Sequence, residues 1–176
     1  MNILTAAREM ALEADALRLV RDGLTARAAV RALTDADLPA QALRLLVRLL
    51  PRGYVVPWLC QCAAGSELDE TERDGLRLAE AWMRDRAEAN RRAALAHAAE
   101  RHYVGAGALI AASAGWSEGF LLDADGNEVA PVAAHLMAVV AAGALLTLAM
   151  ADDDFAGRCR ALVAAGMPLL APEDSP

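Results

Sequence analysis

The sequence predicts an all-α fold in a single domain, and three observations carry that expectation. Alanine occurs 43 times and isoleucine twice in 176 residues, with 4% aromatics, a composition suited to close-packed helices rather than sheets. Apolar residues recur at helical spacing through most of the chain. The length is that of one domain, able to bury roughly two thirds of its unfolded surface without a disulfide or metal staple. We expect a bundle of about seven to eight helices around a central apolar helix. One irregular loop or small hairpin falls at about residues 115–130, and a flexible tail at about 168–176.

Taken in order, the first helix is expected over Thr5–Val20, with Leu12, Ala16 and Leu19 or Val20 on one face and Asp22-Gly23 ending it. A shorter helix covers Thr25–Leu33. Asp37 is placed to cap the next, which has Pro39 in its first turn and stops at Pro51; Arg44 and Arg48 oppose Leu43, Leu46 and Leu50, an amphipathic pattern. Pro57 argues against one unbroken helix through "PRGYVVPWLCQCAAG", so a short helix starting near Pro57 is expected. The run beginning "SELDETERDG" opens with cap signals and aligns Leu76, Ala79, Trp82 and Met83 in one stripe, giving a helix to Met83 or Arg84. Asp85-x-x-Glu88 reads as a capping box for the following helix, and the short connection makes the two antiparallel. "VGAGALIAASA", residues 104–114, is small and apolar enough for close helix contact. "GWSEGFLLDADGNEVAP" then breaks the helical pattern with an Asp-Gly-Asn turn between apolar flanks, as a loop or small β-hairpin would. The longest helix, of roughly 20 residues and about 30 Å, is expected from Pro131, and Asp152–Asp154 cap a last one through Ala165.

Val129 to Ala151 contains no Asp, Glu, Lys or Arg. That length satisfies a membrane span, but about half the residues are alanine or glycine, and Pro131, His135 and Thr147 offset much of what leucine and valine contribute. The flanks, Glu128 and three aspartates, supply no arginine anchor. An apolar helix of this kind in a bundle is its central member, which predicts burial of Leu136, Val139, Val140, Leu146 and Met150.

All 17 basic residues are arginine, which rules out a P-loop lysine, a Schiff-base lysine and a lysine general base. Charge is uneven: residues 1–101 hold 15 arginines and 15 acids, residues 102–157 hold 7 acids and no arginine, and the remainder balances 2 against 2. No segment has a basic excess, so a nucleic-acid or anionic-membrane surface is not expected. The odd count of cysteines, Cys60, Cys62 and Cys159, shows no framework spacing and suits a reducing cytoplasm. Charges at Arg8, Glu9, Glu13 and Asp15 interrupt what would be the apolar core of a signal peptide.

Motif by motif, catalytic and metal chemistry finds little footing. In a helix Cys60 and Cys62 diverge by about 200° and cannot share an ion; buried or half-buried thiols are expected. "HAAERH" spaces His97 and His102 five apart, about 140° around a helix, where a zincin needs four. His97 is expected to pack beside Arg101 and His102 to end the helix, where its positive form would suit the dipole. "DADGNE", Asp123–Glu128, has its glycine fourth and its glutamate sixth, whereas a calcium loop needs them sixth and twelfth. No Gly-x-Ser-x-Gly elbow occurs. No catalytic residue, cofactor or metal is expected.

Several fragments together carry a resemblance: "LPR" at 50–52, "WLCQC" at 58–62, "AW" at 81–82, "NRRAA" at 90–94, and "WSEG" at 116–119 leading to Pro131 and "HL" at 135–136. This ordered set resembles an uncharacterised bacterial all-helical family often found among type VI secretion genes, over about residue 5 to residue 166. The chain departs from that pattern at Pro57-Trp58, where two adjacent tryptophans are expected, and at "SEGF", where a Ser-Gly-Gly-Ser loop is expected. The resemblance implies a cytoplasmic accessory role in bacteria and carries no catalytic residues.

The expected function is therefore a non-enzymatic accessory or adaptor protein that binds another protein, within a type VI secretion system as the resemblance implies. An immunity protein against a cognate toxin and an enzyme with a dispersed site are the alternatives, and a homo-oligomer is compatible with each. The residues expected to meet a partner lie on the irregular loop: Trp116, Glu118, Phe120, Asp123, Asp125 and Glu128, since loops on a rigid helical scaffold commonly carry recognition.

Overall fold

The computed structural model describes residues 2–123 and 125–171. Among these, ten α-helices and one 3-10 turn run in the order α1 (Ile3–Glu9), α2 (Ala14–Leu19), α3 (Ala26–Asp35), α4 (Pro39–Leu49), α5 (Arg52–Ala64), α6 (Glu70–Arg84), α7 (Glu88–Glu100), α8 (Ala106–Gly115), α9 (Leu136–Met150), α10 (Phe155–Gly166) and Met167–Leu169. A two-stranded antiparallel hairpin, β1 (Phe120–Leu122) and β2 (Glu128–Pro131), lies between α8 and α9. The fold is all-α with one small hairpin, and no helix among the described residues is long and apolar enough to cross a membrane.

Side-chain caps start four of the helices. Asn2, Thr25, Asp69 and Asp154 each accept a hydrogen bond from the backbone N–H three residues on, at 2.8–3.2 Å, filling one of the donors that a helix start leaves open. The end of α1 is less visible in the sequence than these starts. α1, α3 and α7 each close with a backbone pair in which the second residue past the cap donates back five positions, Leu12 to Ala7, Leu38 to Leu33 and Tyr103 to Ala98, at 2.9–3.1 Å. This Schellman geometry puts Ala11, Asp37 and His102 in the left-handed region, at φ 51°, 61° and 53°, where glycine usually stands.

Several expectations are corrected by these local facts. The helix expected over Thr5–Val20 is two helices, because the chain reverses at Ala11. Asp37 does not cap α4; it occupies the left-handed position ahead of the N-cap Leu38, and its carboxylate pairs with Arg160. Pro57 does not break α5, which is continuous from Arg52. Pro57 and Gly53, the residue whose carbonyl loses its partner, both face solvent, so water can serve the freed oxygen. The capping box at Asp85 is not formed: Asp85 Oδ1 accepts from Ala87 N at 3.1 Å, and the Glu88 carboxylate turns to Arg91 and Arg92. Pro131 belongs to β2, and α9 starts only at Leu136; its 15 residues equal those of α6 and span about 22 Å rather than 30 Å.

α9 is nonetheless central, packing against α8, α4, α5 and α10. Its inner face, Met137, Ala138, Val140, Ala141, Ala144, Leu145 and Leu148, is buried. The expectation of burial all round fails on the opposite stripe. Val139 is 42% exposed and Met150 74%, and Leu136 and Leu146 are half-buried, because neighbouring helices cover only part of the cylinder. Small residues set the closest contact: a Cβ on Gly75 of α6 would overlap the Gly107 carbonyl of α8, and one on Gly107 would overlap the Glu72 backbone. The two backbones therefore touch directly, and only glycine fits at either position. At the other end of the chain the tail expected to be flexible from about 168 is held to Leu170, which is buried and whose carbonyl accepts from Arg27 Nη2 at 3.0 Å; residues 172–176 lie outside the described residues.

Candidate functional site

The hairpin end is assembled around a buried arginine. Arg91 shares the face of α7 that carries Ala94 and Ala98, all three buried, and is 1% exposed. Its Nε and Nη2 donate to the two Glu88 oxygens at 2.7 Å each, and Nη1 donates to the Gly115 carbonyl at 2.6 Å. The forked pair satisfies a guanidinium that could not otherwise be buried, and the bond to Gly115 serves an open carbonyl at the end of α8. Gly119 opens β1 at φ 84°, and a Cβ there would press on the guanidinium carbon at 2.9 Å. Hydrogen bonds from Arg91 first, and then from Arg92, hold the Glu88 carboxyl at about 2, against an ordinary 4.5.

Arg92 extends this network outward, bonding Glu88 Oε1 at 2.7 Å and approaching Glu128 Oε1 at 3.7 Å. Arg52 Nη2 donates to the Trp116 carbonyl at 3.2 Å. The hairpin is thus fastened by arginines of the preceding helices, although its own segment contains none. Its turn is organised by Asp123, whose carboxylate accepts from Asp125 N, Asn127 N and Asn127 Nδ2 at 2.8–3.1 Å. These bonds, those from Asn127 foremost, lower the Asp123 pKa below its usual range.

Beside the hairpin lies a groove of about 400 Å³. Leu95, Ala96 and Ala99 of α7 and Leu121 of β1 supply apolar lining; Tyr103 and Trp116 add an aromatic wall, and Arg92 and Asp123 are its charged members. The two aromatic rings stack with centroids 5.3 Å apart and planes inclined by 22°. Tyr103 follows His102 as a second left-handed residue, at φ 58°, a costly conformation for a side chain of this size.

The structure brings Trp116 and Asp123 of the expected site residues into this groove. Glu118, Phe120, Asp125 and Glu128 are exposed on the same segment but not among its lining: Phe120, 40% accessible, alternates with the lining Leu121 and so points to the other face of β1, and Glu128 faces Arg92. Sequence reading missed Arg91, Arg92, Leu95, Ala99 and Tyr103. For Arg91 a signal existed, its register with Ala94 and Ala98; for Tyr103 none did, since its place depends on two left-handed residues.

The other cavities offer less directed chemistry. One, of about 490 Å³, sets Arg158 among Glu67, Glu72 and Asp152, but Glu72 Oε1 is committed to Ala106 N at 3.0 Å. A smaller one, about 220 Å³, is lined by His97 and Arg101 with Asp69 and Glu72; both carboxylates accept from backbone N–H groups, and His97 Nε2 is buried without a partner. Cys60 and Cys159 are buried and Cys62 half-buried, all as free thiols. Burial pushes Cys60 up to about 12 and Cys62 up to about 11. No group of three or more His, Cys, Asp or Glu residues able to hold a metal occurs among the described residues.

A family model described as a family of unknown function, DUF6931, matches residues 29–170. No curated protein and no solved structure matches the chain.

Proposed function

We propose that this chain, which belongs to the DUF6931 family of unknown function, is a non-enzymatic accessory or adaptor protein that binds another protein through its hairpin end, within a bacterial type VI secretion system. The observation that carries this reading is the apolar groove walled by the stacked Tyr103 and Trp116, with Phe120 and Val129 exposed on the adjoining strands. Aromatic residues at the centre of a preformed apolar depression are what interface anchors require. The secretion setting and the cytoplasmic location rest on the resemblance of the ordered fragments from "LPR" to "HL". The enzyme alternative finds less support in the cavity that His97 lines, where the Asp69 and Glu72 carboxylates already accept backbone N–H groups.

The test is paired affinity capture from the native host, with the parent chain and Tyr103→Ala/Val129→Ser as baits, quantified by mass spectrometry. A protein enriched on the parent and lost from the variant supports the reading, and its identity separates a secretion component from a toxin paired with an immunity protein. Indistinguishable capture by two baits with the same circular dichroism would end it.

A further inference from the structure

We infer that the groove between α7 and the hairpin receives an apolar segment of the partner that carries an arginine or lysine. This rests on the protein-binding reading above and specifies what the bound segment must be. Ala96 and Ala99 leave room over the helix between the larger Leu95 and Leu121, a depression that an aliphatic or aromatic side chain fills and a polar one does not. The neighbouring wall is π-surface. A cation placed over an aromatic face is attracted by the ring quadrupole, and the same chain already uses the arrangement internally, with the Arg86 guanidinium 3.7 Å above the Trp82 ring.

The sign of the charge follows from how the local ions are spent. Arg92 is the cation among the described lining residues, and it faces two carboxylates, Glu88 at 2.7 Å and Glu128 at 3.7 Å. Arg91 is buried behind the exposed Glu88 and is committed to both of its carboxylate oxygens. The Asp123 carboxylate accepts from N–H groups of its own turn, which favour its ionised form. Among the described residues neither Asp123 nor Asp125 forms an ion pair with an arginine, those that reach the hairpin bonding Glu88, Glu128 and the Gly115 and Trp116 carbonyls instead. An incoming acidic segment would meet this charge uncompensated, while a basic one completes it. Backbone hydrogen bonds from the N–H groups of His102, Tyr103 and Val104 to the carbonyls of Ala99, Ala98 and Arg101 define this turn before binding, so little ordering cost falls on association.

Selection of a random dodecapeptide phage library on the full chain tests this. The expected outcome is enrichment of peptides that place Arg or Lys within one helical turn of Leu, Ile, Met or an aromatic residue. A fluorescein-labelled enriched peptide, followed by anisotropy, should bind the Tyr103→Ala variant about tenfold more weakly and Tyr103→Phe nearly as well as the parent. Binding should fall about threefold in Glu118→Gln/Asp125→Asn and decline as salt is raised. An acidic or uncharged consensus whose binding is still lost in Tyr103→Ala overturns the cation assignment and leaves the protein-binding groove standing. Absence of enrichment, or peptides that bind Tyr103→Ala as tightly as the parent, overturns the groove itself. Self-association by sedimentation that disappears in Tyr103→Ala assigns the groove to a second copy of the chain and likewise overturns the inference.

Discussion

The interior around α4, α8 and α9 and the hairpin end are held together by different physics. Around α9 the contacts are apolar and non-directional: Leu43, Leu45, Leu46, Ile110 and Leu145 are wholly buried, and glycines and alanines let the helix backbones approach. At the hairpin end a charged side chain takes the place of the core leucine, and its orientation is set by three hydrogen bonds to Glu88 and Gly115. The interior gains by volume filled, whereas the hairpin end gains only when donors and acceptors match. A surface built on such a network keeps a defined shape with few residues, which suits recognition better than it suits stability.

This difference can be tested from the side of the larger effect first. Trp82→Ala, which empties a buried site on the bundle side, should cost about 3–5 kcal/mol in chemical denaturation; a loss below about 1 kcal/mol would place Trp82 outside the cohesive core. Arg91→Met fills nearly the same space but leaves the Gly115 carbonyl without its donor, so about 1–3 kcal/mol is expected. That loss should come with faster amide exchange confined to β1 and β2. Global rather than local exchange would mean that Arg91 belongs energetically to the bundle.

Acid should act on the hairpin end ahead of the interior. The folded-state pKa of Glu88 is depressed to about 2 from 4.5, so its contribution is complete above the unfolded value and is lost as pH falls through the folded one. Melting temperature followed from pH 5 to pH 2 should drop less steeply in Glu88→Gln than in the parent. Equal slopes would show that Arg91 and Arg92 hold Glu88 no better when folded than when unfolded. The smallest effect belongs to the exposed stripe of α9: Met150→Ser should change stability by under about 0.5 kcal/mol, and a larger loss would mean that something covers this face in solution.

The helical class and most helix positions were legible, because the spacing of leucine and alanine and the caps Thr25, Asp69 and Asp154 are local signals. The end of α1 was not, where Ala11 takes a left-handed conformation that favours glycine, and neither was the left-handed place of Asp37; without the glycine, nothing in the sequence announces the reversal. α9 departs from its expectation for a different reason. Absence of charge predicts burial on every side, yet coverage depends on how many neighbours surround a helix, and Val139 and Met150 face outward. Of the candidate site, the hairpin and its acidic turn could be read from Asp-Gly-Asn between apolar flanks. The groove could not, since it needs α7 and the hairpin side by side, a long-range juxtaposition that no local pattern encodes.

The thiols have a practical corollary. A thiolate does the attacking in alkylation and disulfide exchange, and with Cys60 and Cys62 raised to about 12 and 11 and Cys159 buried, all three should be labelled by maleimides more slowly at neutral pH than an exposed cysteine, as a time course of mass-spectrometric labelling would check. One cysteine introduced at an exposed position such as Val129 would then outcompete all three. The wild-type background could carry a single fluorophore beside the groove without first being stripped of its own cysteines.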